Sequence, residues 1–194
     1  GVVEGHKHII VRPGSSDEMK HMGRLKAKAW ALAKEGIEGA SQWVVEGHKH
    51  IIVHPGSAGS ANNWTINQYI ELMDRLCASG YRILLTGTAQ ESDQLGFHDR
   101  QFPADVINTM GKMKLDQLLA LIGVADGLVA SSTGPLHMAA ASNIMCLGLY
   151  GPAAPEWPER WHPLGPKARW LTSKGLTERG ALAIELDEVL AEIE

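Results

Sequence analysis

The sequence predicts an α/β protein in which helices cover both faces of a parallel sheet. Short apolar segments alternate along the chain with longer segments whose apolar residues recur at helical spacing. Two of the predicted strands run into loops rich in Gly, Ser and Thr, and each loop precedes a predicted helix. Regular alternation of strands and helices is typical of a Rossmann-like sheet, whose ligands bind at the carboxyl ends of the strands.

The first predicted unit is a strand at residues 50–53 followed by a helix at residues 65–79. The strand is a short apolar run, as expected where both faces of a sheet are covered. The helix is predicted to end before Gly80, because glycine favours helix termination. Its apolar side chains at helical spacing are Ile66, Tyr69, Ile70, Met73, Leu76 and Cys77.

The next two units are shorter. A second strand at residues 81–86 leads through Gly87 to a helix near residues 91–100. A third strand at residues 106–107 precedes a helix at residues 115–124, which is rich in leucine and has helical periodicity.

The last part of the chain continues the alternation. A fourth strand at residues 127–130 leads to a small, Ala-rich helix at residues 134–142, and a fifth strand follows at residues 145–150. Residues 151–166 are rich in Pro and Trp and predict an ordered loop. A final helix at residues 186–193 has apolar residues at helical spacing.

The turn between the fourth strand and its helix predicts an anion site. Free backbone N–H groups and the positive end of the helix dipole meet at such a turn. Ser132 and Thr133 suit the helix cap, Pro135 suits the first turn, and His137 lies about one turn into the helix. An ordinary capped helix with a packed histidine is the alternative that these residues leave open.

The loop at residues 54–64 is a second candidate binding element. Gly56 and Gly59 allow close approach of the backbone to a ligand, and Ser57 and Ser60 offer hydroxyl groups. In an open parallel sheet, this loop and the 131–141 turn both lie at the carboxyl edge of the strands.

Six short motifs, in order, resemble those of the family 9 glycosyltransferases, the bacterial ADP-heptose:lipopolysaccharide heptosyltransferases. The resemblance runs from about residue 50 to the C-terminus, and it implies one half of a GT-B glycosyltransferase, the half that binds the donor. The motifs are HPGS at 54–57, NNW at 62–64, LLTGT at 84–88, MGK at 110–112, STGPLHMAAA at 132–141 and LGLYGP at 147–152.

The resemblance implies that this half binds a nucleotide-diphosphate sugar, namely ADP-heptose. It places Glu91 against a ribose or base, Met110 near the base, and His137 on phosphate or sugar. A helix N-terminal charge for Glu91, a core position for Met110 and a packing role for His137 remain open alternatives. The full set of implied donor-binding residues is Ser57, Asn62, Glu91, Met110, Ser132, Thr133, Gly134 and His137.

The chain departs from the family pattern at three positions within or beside these motifs. Family members commonly have Asp where Ser132 stands, Lys where Asn62 stands and Pro where Thr65 stands. A lysine at position 62 would supply a charge-assisted phosphate contact that asparagine cannot. Candidates to replace that charge are Arg82, Lys112 and Lys114.

The reaction implied by the resemblance is inverting sugar transfer to a lipopolysaccharide core acceptor. An N-terminal domain would complete the enzyme on the acceptor side, so no general base is nominated within this chain, and no cofactor is expected. Two other functions stay open. One is a non-catalytic nucleotide-binding or assembly module, and the other is a different sugar-nucleotide enzyme of the same architecture, such as an epimerase.

Composition narrows the function classes. The 194 residues have a formal net charge of −4, so there is no basic footprint for nucleic acid. No apolar run approaches the ~20 residues of a membrane span, and we expect a cytoplasmic protein, or one at the periphery of the inner membrane. Cys77 and Cys146 are expected as buried thiols. No metal site is expected, because histidine pairs such as His48 and His50 lack further ligands nearby.

The N-terminal region contains a sequence repeat. Residues 2–15 recur at residues 44–57, and only Arg12 in place of His54 differs. We therefore divide the chain into an appendage at 1–43 and a Rossmann-like donor domain at 44–194. A duplication without structural meaning is one explanation. Competition of both copies for one strand position, giving a strand-swapped homo-oligomer, is the other.

Overall fold

The computed structural model describes residue 40 and residues 42–59, 61–153 and 158–194. The first copy of the repeat at 2–15 and most of the predicted appendage lie outside the described residues. The boundary between appendage and domain therefore stays a prediction.

Within the described residues, six parallel strands form one sheet in the order β3-β2-β1-β4-β5-β6. Each of the five predicted strands is present, with small differences at the ends. The strands are β1 (His50–His54), β2 (Arg82–Leu85), β3 (Val106–Asn108), β4 (Gly127–Ser131), β5 (Met145–Tyr150) and β6 (Ala168–Thr172).

The strand order reverses at β1. This strand pairs with β2 on one side and β4 on the other, so that Ile52 aligns with both Leu84 and Leu128. From β1 at the centre, the chain therefore adds β2 and β3 on one side and β4, β5 and β6 on the other. In open α/β sheets, such a switch point opens a crevice at the carboxyl ends of the two strands.

Helices cover both faces of the sheet, as the sequence predicts. The long helix α1 and the C-terminal helix α6 pack on one face, whereas α3 and α4 pack on the other. The helices are α1 (Ile66–Ala78), α2 (Ala89–Gln94), α3 (Leu115–Val124), α4 (Gly134–Ala141), α5 (Pro158–Trp161) and α6 (Leu186–Ile193).

Alternate residues of each strand enter different cores. Ile51 and Val53 of β1 pack in the core beneath α1 and α6, together with Leu72 and Leu76. Ile52 lies in the opposite core with residues of α3 and α4. Because strand side chains alternate between the two faces, a two-sided core requires an uninterrupted apolar strand.

The structure differs from the predicted elements in two places. The helix expected to reach residue 100 ends at Gln94, because Gly96 adopts a left-handed conformation with φ of 68° and turns the chain. The predicted loop after β5 gives way to the short helix α5 and then to β6. Strand β6 is an edge strand of half-buried and exposed residues, so it lacks the apolar run that marks the central strands.

The C-terminal segment is tied to the start of α1. The indole of Trp64 donates a hydrogen bond of 2.8 Å to the carbonyl oxygen of Ile184, and the amide of Leu182 donates one of 3.0 Å to the carbonyl oxygen of Asn63. Trp64 is only 3% exposed and meets Tyr69 edge-on. It is a packing residue. Within the described part of the chain, no helix is long and apolar enough to cross a membrane.

Replacing Trp64 tests this anchor. We expect Trp64→Phe to lower the free energy of unfolding by about 1–2 kcal/mol, since it removes the indole donor but retains an aromatic ring. Trp64→Ala should cost about 3–5 kcal/mol, because it also leaves a cavity. Urea unfolding measures both values. The exposed Val124→Ala is the control, within about 0.5 kcal/mol of the parent. Equal losses for Phe and Ala would contradict a packing role for the ring.

Candidate functional site

A cavity of about 640 Å³ opens at the carboxyl ends of β1 and its neighbours β2 and β4. It lies where the strand order predicts a ligand crevice. Three helices begin on its rim, with Thr88, Lys114 and Thr133 as their N-cap residues. The lining comprises His54, Gly56, Ser57, Ala58, Thr86, Gly87, Thr88, Ala89, Glu91, Gly111, Met113, Lys114, Leu115, Leu118, Thr133, Gly134 and Pro135.

Four of the eight predicted donor-binding residues line this cavity, namely Ser57, Glu91, Thr133 and Gly134. The structure brings them together from the loop after β1, the first turn of α2 and the start of α4, which are distant in sequence.

The other four lie nearby but outside the lining. Met110 is buried in the core beneath Gly87. This is the core position that the sequence left open as the alternative to a place near the base. Burial raises the pKa of Tyr150, and the Ser132 side chain near it opposes this shift. Asn62 lies half-buried in the β1–α1 loop, and His137 lies half-buried within α4.

The carboxylate of Glu91 joins two of the loops. One oxygen, Oε2, accepts hydrogen bonds from the amide and hydroxyl of Thr88, at 2.8 and 3.1 Å. The other, Oε1, accepts one of 3.2 Å from the amide of Ala58 in the β1–α1 loop. Glu91 thus completes the capping box of α2 and also fixes the loop after β1.

Two glycines make room for this carboxylate. A Cβ atom at Gly56 would lie 2.2 Å from Oε1 of Glu91, which is far inside contact distance. A Cβ atom at Gly87 would lie 2.5 Å from Cε of Met110 and 3.2 Å from Oε2 of Glu91. The glycines of the HPGS and LLTGT motifs therefore serve the packing of the loops on one another.

The titratable groups beneath the cavity are an ionised Glu91 and a neutral His54. Burial by itself raises the pKa of Glu91, but the hydrogen bonds from Thr88 and the nearby His54 lower it, so that the net pKa lies below its ordinary value. Burial lowers the pKa of His54, and Glu91 opposes this only in part. His54 is therefore a neutral ring at pH 7, and its Nδ1 lies 2.9 Å from the Thr86 hydroxyl.

Asn63 is a positioning residue that the sequence did not single out. Its side-chain oxygen accepts a hydrogen bond of 2.5 Å from Ser131 at the end of β4, and its amide nitrogen donates one of 3.0 Å to the Ser57 hydroxyl. It thereby holds the β1–α1 loop against β4. An asparagine in a Gly- and Ser-rich loop after a strand is the signal available in the sequence, but it does not show which partner the side chain reaches.

Thr133 presents a polar atom without a partner. Its residue is 8% exposed, its Oγ1 is buried, and this oxygen has no hydrogen-bond partner among the described residues. Although Thr133 is the N-cap of α4, its side chain makes no capping hydrogen bond. Buried hydroxyl groups are normally satisfied, and one without a partner beside a cavity is available to a ligand.

The opposite wall of the cavity is apolar. Met113, Leu115 and Leu118 come from the loop before α3 and from its first turns. Leu115 is 60% exposed, which is unusual for a large apolar side chain at a cavity rim. The cavity thus combines helix N-termini and hydroxyl groups with a surface that suits a flat apolar group.

His137 lies one turn into α4 and faces a second histidine. Burial, and to a smaller extent the proximity of His162, lower the pKa of His137. The ring is therefore neutral at pH 7 and has one N–H to donate. In the described part of the chain, no group of three or more His, Cys, Asp or Glu side chains is arranged to hold a metal ion.

The sheet order and the cavity define a Rossmann-like α/β domain of the kind that forms one half of GT-B glycosyltransferases. A family model described as glycosyltransferase family 9 (heptosyltransferase) matches residues 16–181, and the chain belongs to this family.

The known relatives are longer than the segment that they share with this chain. Lipopolysaccharide heptosyltransferase 2 of Escherichia coli K12 is 33% identical over 115 residues, which cover 57% of this chain and 32% of that protein. The structure of E. coli ADP-heptose lps heptosyltransferase II superposes with a TM-score of 0.64 at 26% identity, covering 84% of this chain and 50% of that one.

A further structure shares the fold. E. coli heptosyltransferase WaaC, solved with ADP, has a TM-score of 0.63 at 19% identity and covers 84% of this chain and 48% of its own. This chain thus spans about half the length of the solved relatives and about a third of the curated one.

The role of Glu91 can be tested through pH. Its folded-state pKa is lowered, so its contribution to stability is complete above the unfolded value near 4.5 and is lost as pH falls through the folded pKa. We expect Glu91→Gln to lower the free energy of unfolding at pH 7 by about 1–3 kcal/mol. The deficit should shrink below about pH 4.

Urea unfolding at several pH values measures this difference. Glu71→Gln, on the exposed side of α1, is the matched control and should change stability little at any pH. A Glu91→Gln deficit that is independent of pH would mean that the carboxylate charge does not stabilise the loops.

Proposed function

We propose that this chain is the donor-binding half of a heptosyltransferase and that its cavity binds ADP-heptose. The observation that carries the proposal is the buried, unpartnered hydroxyl of Thr133 at the start of α4, inside a cavity at the switch point of the sheet. Helix N-termini at this location favour phosphate groups.

The diphosphate is proposed to lie against α4. Its negative charge grows as the sugar leaves, and fixed donors directed at that charge stabilise the transition state. Thr133 supplies a hydroxyl, and Gly134 gives the backbone N–H groups of the first turn unhindered access, since a Cβ there would meet nothing closer than 3.9 Å. Ser57 lines the same cavity from the opposite loop.

The nucleoside is proposed to lie against the apolar wall of the cavity. The apolar side chains of Met113, Leu115 and Leu118 suit an adenine ring. Glu91 is the acidic group at the cavity floor and would accept hydrogen bonds from ribose hydroxyls with its remaining lone pairs. The name of the E. coli structural relative at 26% identity, an ADP-heptose enzyme, supports ADP-heptose as the donor.

The acceptor is proposed to be a lipopolysaccharide core, bound by a second domain that faces this cavity. That domain would also supply the base that takes the proton from the acceptor hydroxyl. The hydroxyl is proposed to attack the anomeric carbon from the face opposite the departing nucleoside diphosphate, which makes the transfer inverting. The reaction is placed in the cytoplasm at the inner membrane, where such an acceptor is reached.

A variant of Thr133 tests the proposal in two ways. Thr133→Val keeps the shape and removes the hydroxyl, so ADP affinity should fall by roughly tenfold. Stability should be unchanged or rise by up to about 1–2 kcal/mol, because a buried hydroxyl without a partner no longer has to lose its hydration. Calorimetric titration with ADP, UDP and GDP, followed by urea unfolding, measures both effects.

Thr172→Val is the control for these measurements, because Thr172 ends β6 at an exposed position outside the cavity. It should leave ADP binding unchanged. Preference for UDP over ADP would overturn the heptose donor. Absence of nucleotide binding would favour a non-catalytic module that shares the fold.

The repeat leads to a proposal about self-association. Residues 8–11 match residues 50–53 of β1, so a second chain offers the same strand sequence. The copies differ where β1 has His54, which is buried beside the Thr86 hydroxyl. An arginine there would bury a charge that cannot be neutralised, so the 44–57 copy is favoured for β1. We therefore expect exchanged oligomers only as a minor species.

Size-exclusion chromatography with light scattering tests this expectation. His54→Arg makes the two copies equivalent at this position, so it should raise the fraction of dimer at high concentration. An equally monomeric His54→Arg variant that remains folded by circular dichroism would contradict strand exchange.

A further inference from the structure

Among the described residues that line the cavity, one cation forms no salt bridge. Among the described lining residues, Lys114 is the one with a permanent positive charge and Glu91 the one with a negative charge. Both oxygens of Glu91 already accept hydrogen bonds from the protein. Lys114 forms no salt bridge with a described carboxylate. The ammonium group of Lys114 is therefore not paired with a carboxylate among the described residues.

Lys114 lies at a helix N-terminus. It is the N-cap of α3, with an extended backbone, and its amide donates a hydrogen bond of 2.9 Å to the side chain of Gln117. An ammonium group cannot accept hydrogen bonds, so Lys114 does not cap the helix with its side chain. A cation at a helix N-terminus is unfavourable for the helix alone. Its presence there is explained if an anion binds between it and the helix.

Thr133 gives an independent indication of an anion at the same place. Its unpartnered hydroxyl is more than nine-tenths buried and lines the same cavity from the N-terminus of α4. Lys114 lines this cavity from the N-terminus of α3. Two helix N-termini and one ammonium group thus converge on one volume.

Other cations named from the sequence do not reach this volume. Arg82 begins β2 at the amino edge of the sheet, opposite the cavity, and lies 3.7 Å from a carboxylate oxygen of Asp105. Lys112 donates a hydrogen bond of 2.7 Å to the carbonyl oxygen of Asn108 and lies 5.9 Å from the ring centre of Trp43. Neither residue lines the cavity.

We propose that Lys114 holds the diphosphate of the donor and sets the affinity of this chain for nucleoside diphosphates over monophosphates. The inference rests on the proposed nucleotide function. Lys114 would replace the lysine that family members commonly have where Asn62 stands. The positive charge that pairs with the phosphates would then come from the start of α3 instead of the β1–α1 loop. An exposed lysine stem has the length and freedom to follow the phosphates as they leave.

Binding measurements on the 194-residue chain test this role. We expect Lys114→Gln to weaken ADP and inorganic pyrophosphate by roughly tenfold to a hundredfold, as for a charge-assisted hydrogen bond. AMP should weaken by less than about threefold, so the ratio of ADP to AMP affinity falls. The ADP affinity of the parent should decrease with salt more steeply than that of the variant. Lys114→Arg should restore most of the ADP affinity.

Lys112→Gln is the matched control, because it removes the same charge two residues away in the same loop. It should leave ADP affinity within about twofold of the parent, since its ammonium faces Asn108 rather than the cavity. Equal losses for Lys112→Gln and Lys114→Gln would overturn the proposal, since they would reflect net charge alone.

The outcomes separate this inference from the function on which it rests. ADP binding that is unchanged in Lys114→Gln overturns the role of Lys114 and leaves the nucleotide function intact. Binding of pyrophosphate but not ADP, weakened in Lys114→Gln, supports the cation site and overturns the nucleotide. Binding of neither ligand by the parent chain overturns both.

Discussion

The position of β1 between β2 and β4 is the constraint on which this structure depends. Parallel pairing on both sides places the ends of the three strands at one edge of the sheet. The reversal of strand order then separates the loops that follow them, and a crevice opens between the loops. Most polar groups of the cavity reach it from one of these strand ends or from the helix that follows, and Lys114 reaches it from the loop after β3.

Glu91 fixes the position of the loops that border this crevice. Its carboxylate binds donors from the β1–α1 loop and the start of α2, so two loops that the sheet merely brings close become fixed to each other. Three hydrogen bonds from the protein stabilise this charge, which keeps Glu91 ionised beside a neutral His54. The proposed anion site therefore lies at the N-termini of α3 and α4 rather than against this carboxylate.

Much of this arrangement was predictable. The central strands and most helices follow from apolar runs and periodicity, and the match to family 9 follows from short motifs in order. Strand β6 was missed because an edge strand needs no apolar run, and α2 was predicted too long because the turn at Gly96 was not recognised. Of the predicted site residues, Thr133 and Glu91 line the cavity, whereas Met110 lies in the core beneath it.

The sequence by itself determined the layered α/β fold, the family and the loops that form the site. These follow from local properties, because burial on both faces demands apolar strands and close backbone approach demands glycine. Only the tertiary structure decided which side chains share the cavity. Asn63, Glu91 and Lys114 are remote from one another in sequence, and their partners depend on strand order and loop contact. Spacing along the chain does not contain that information.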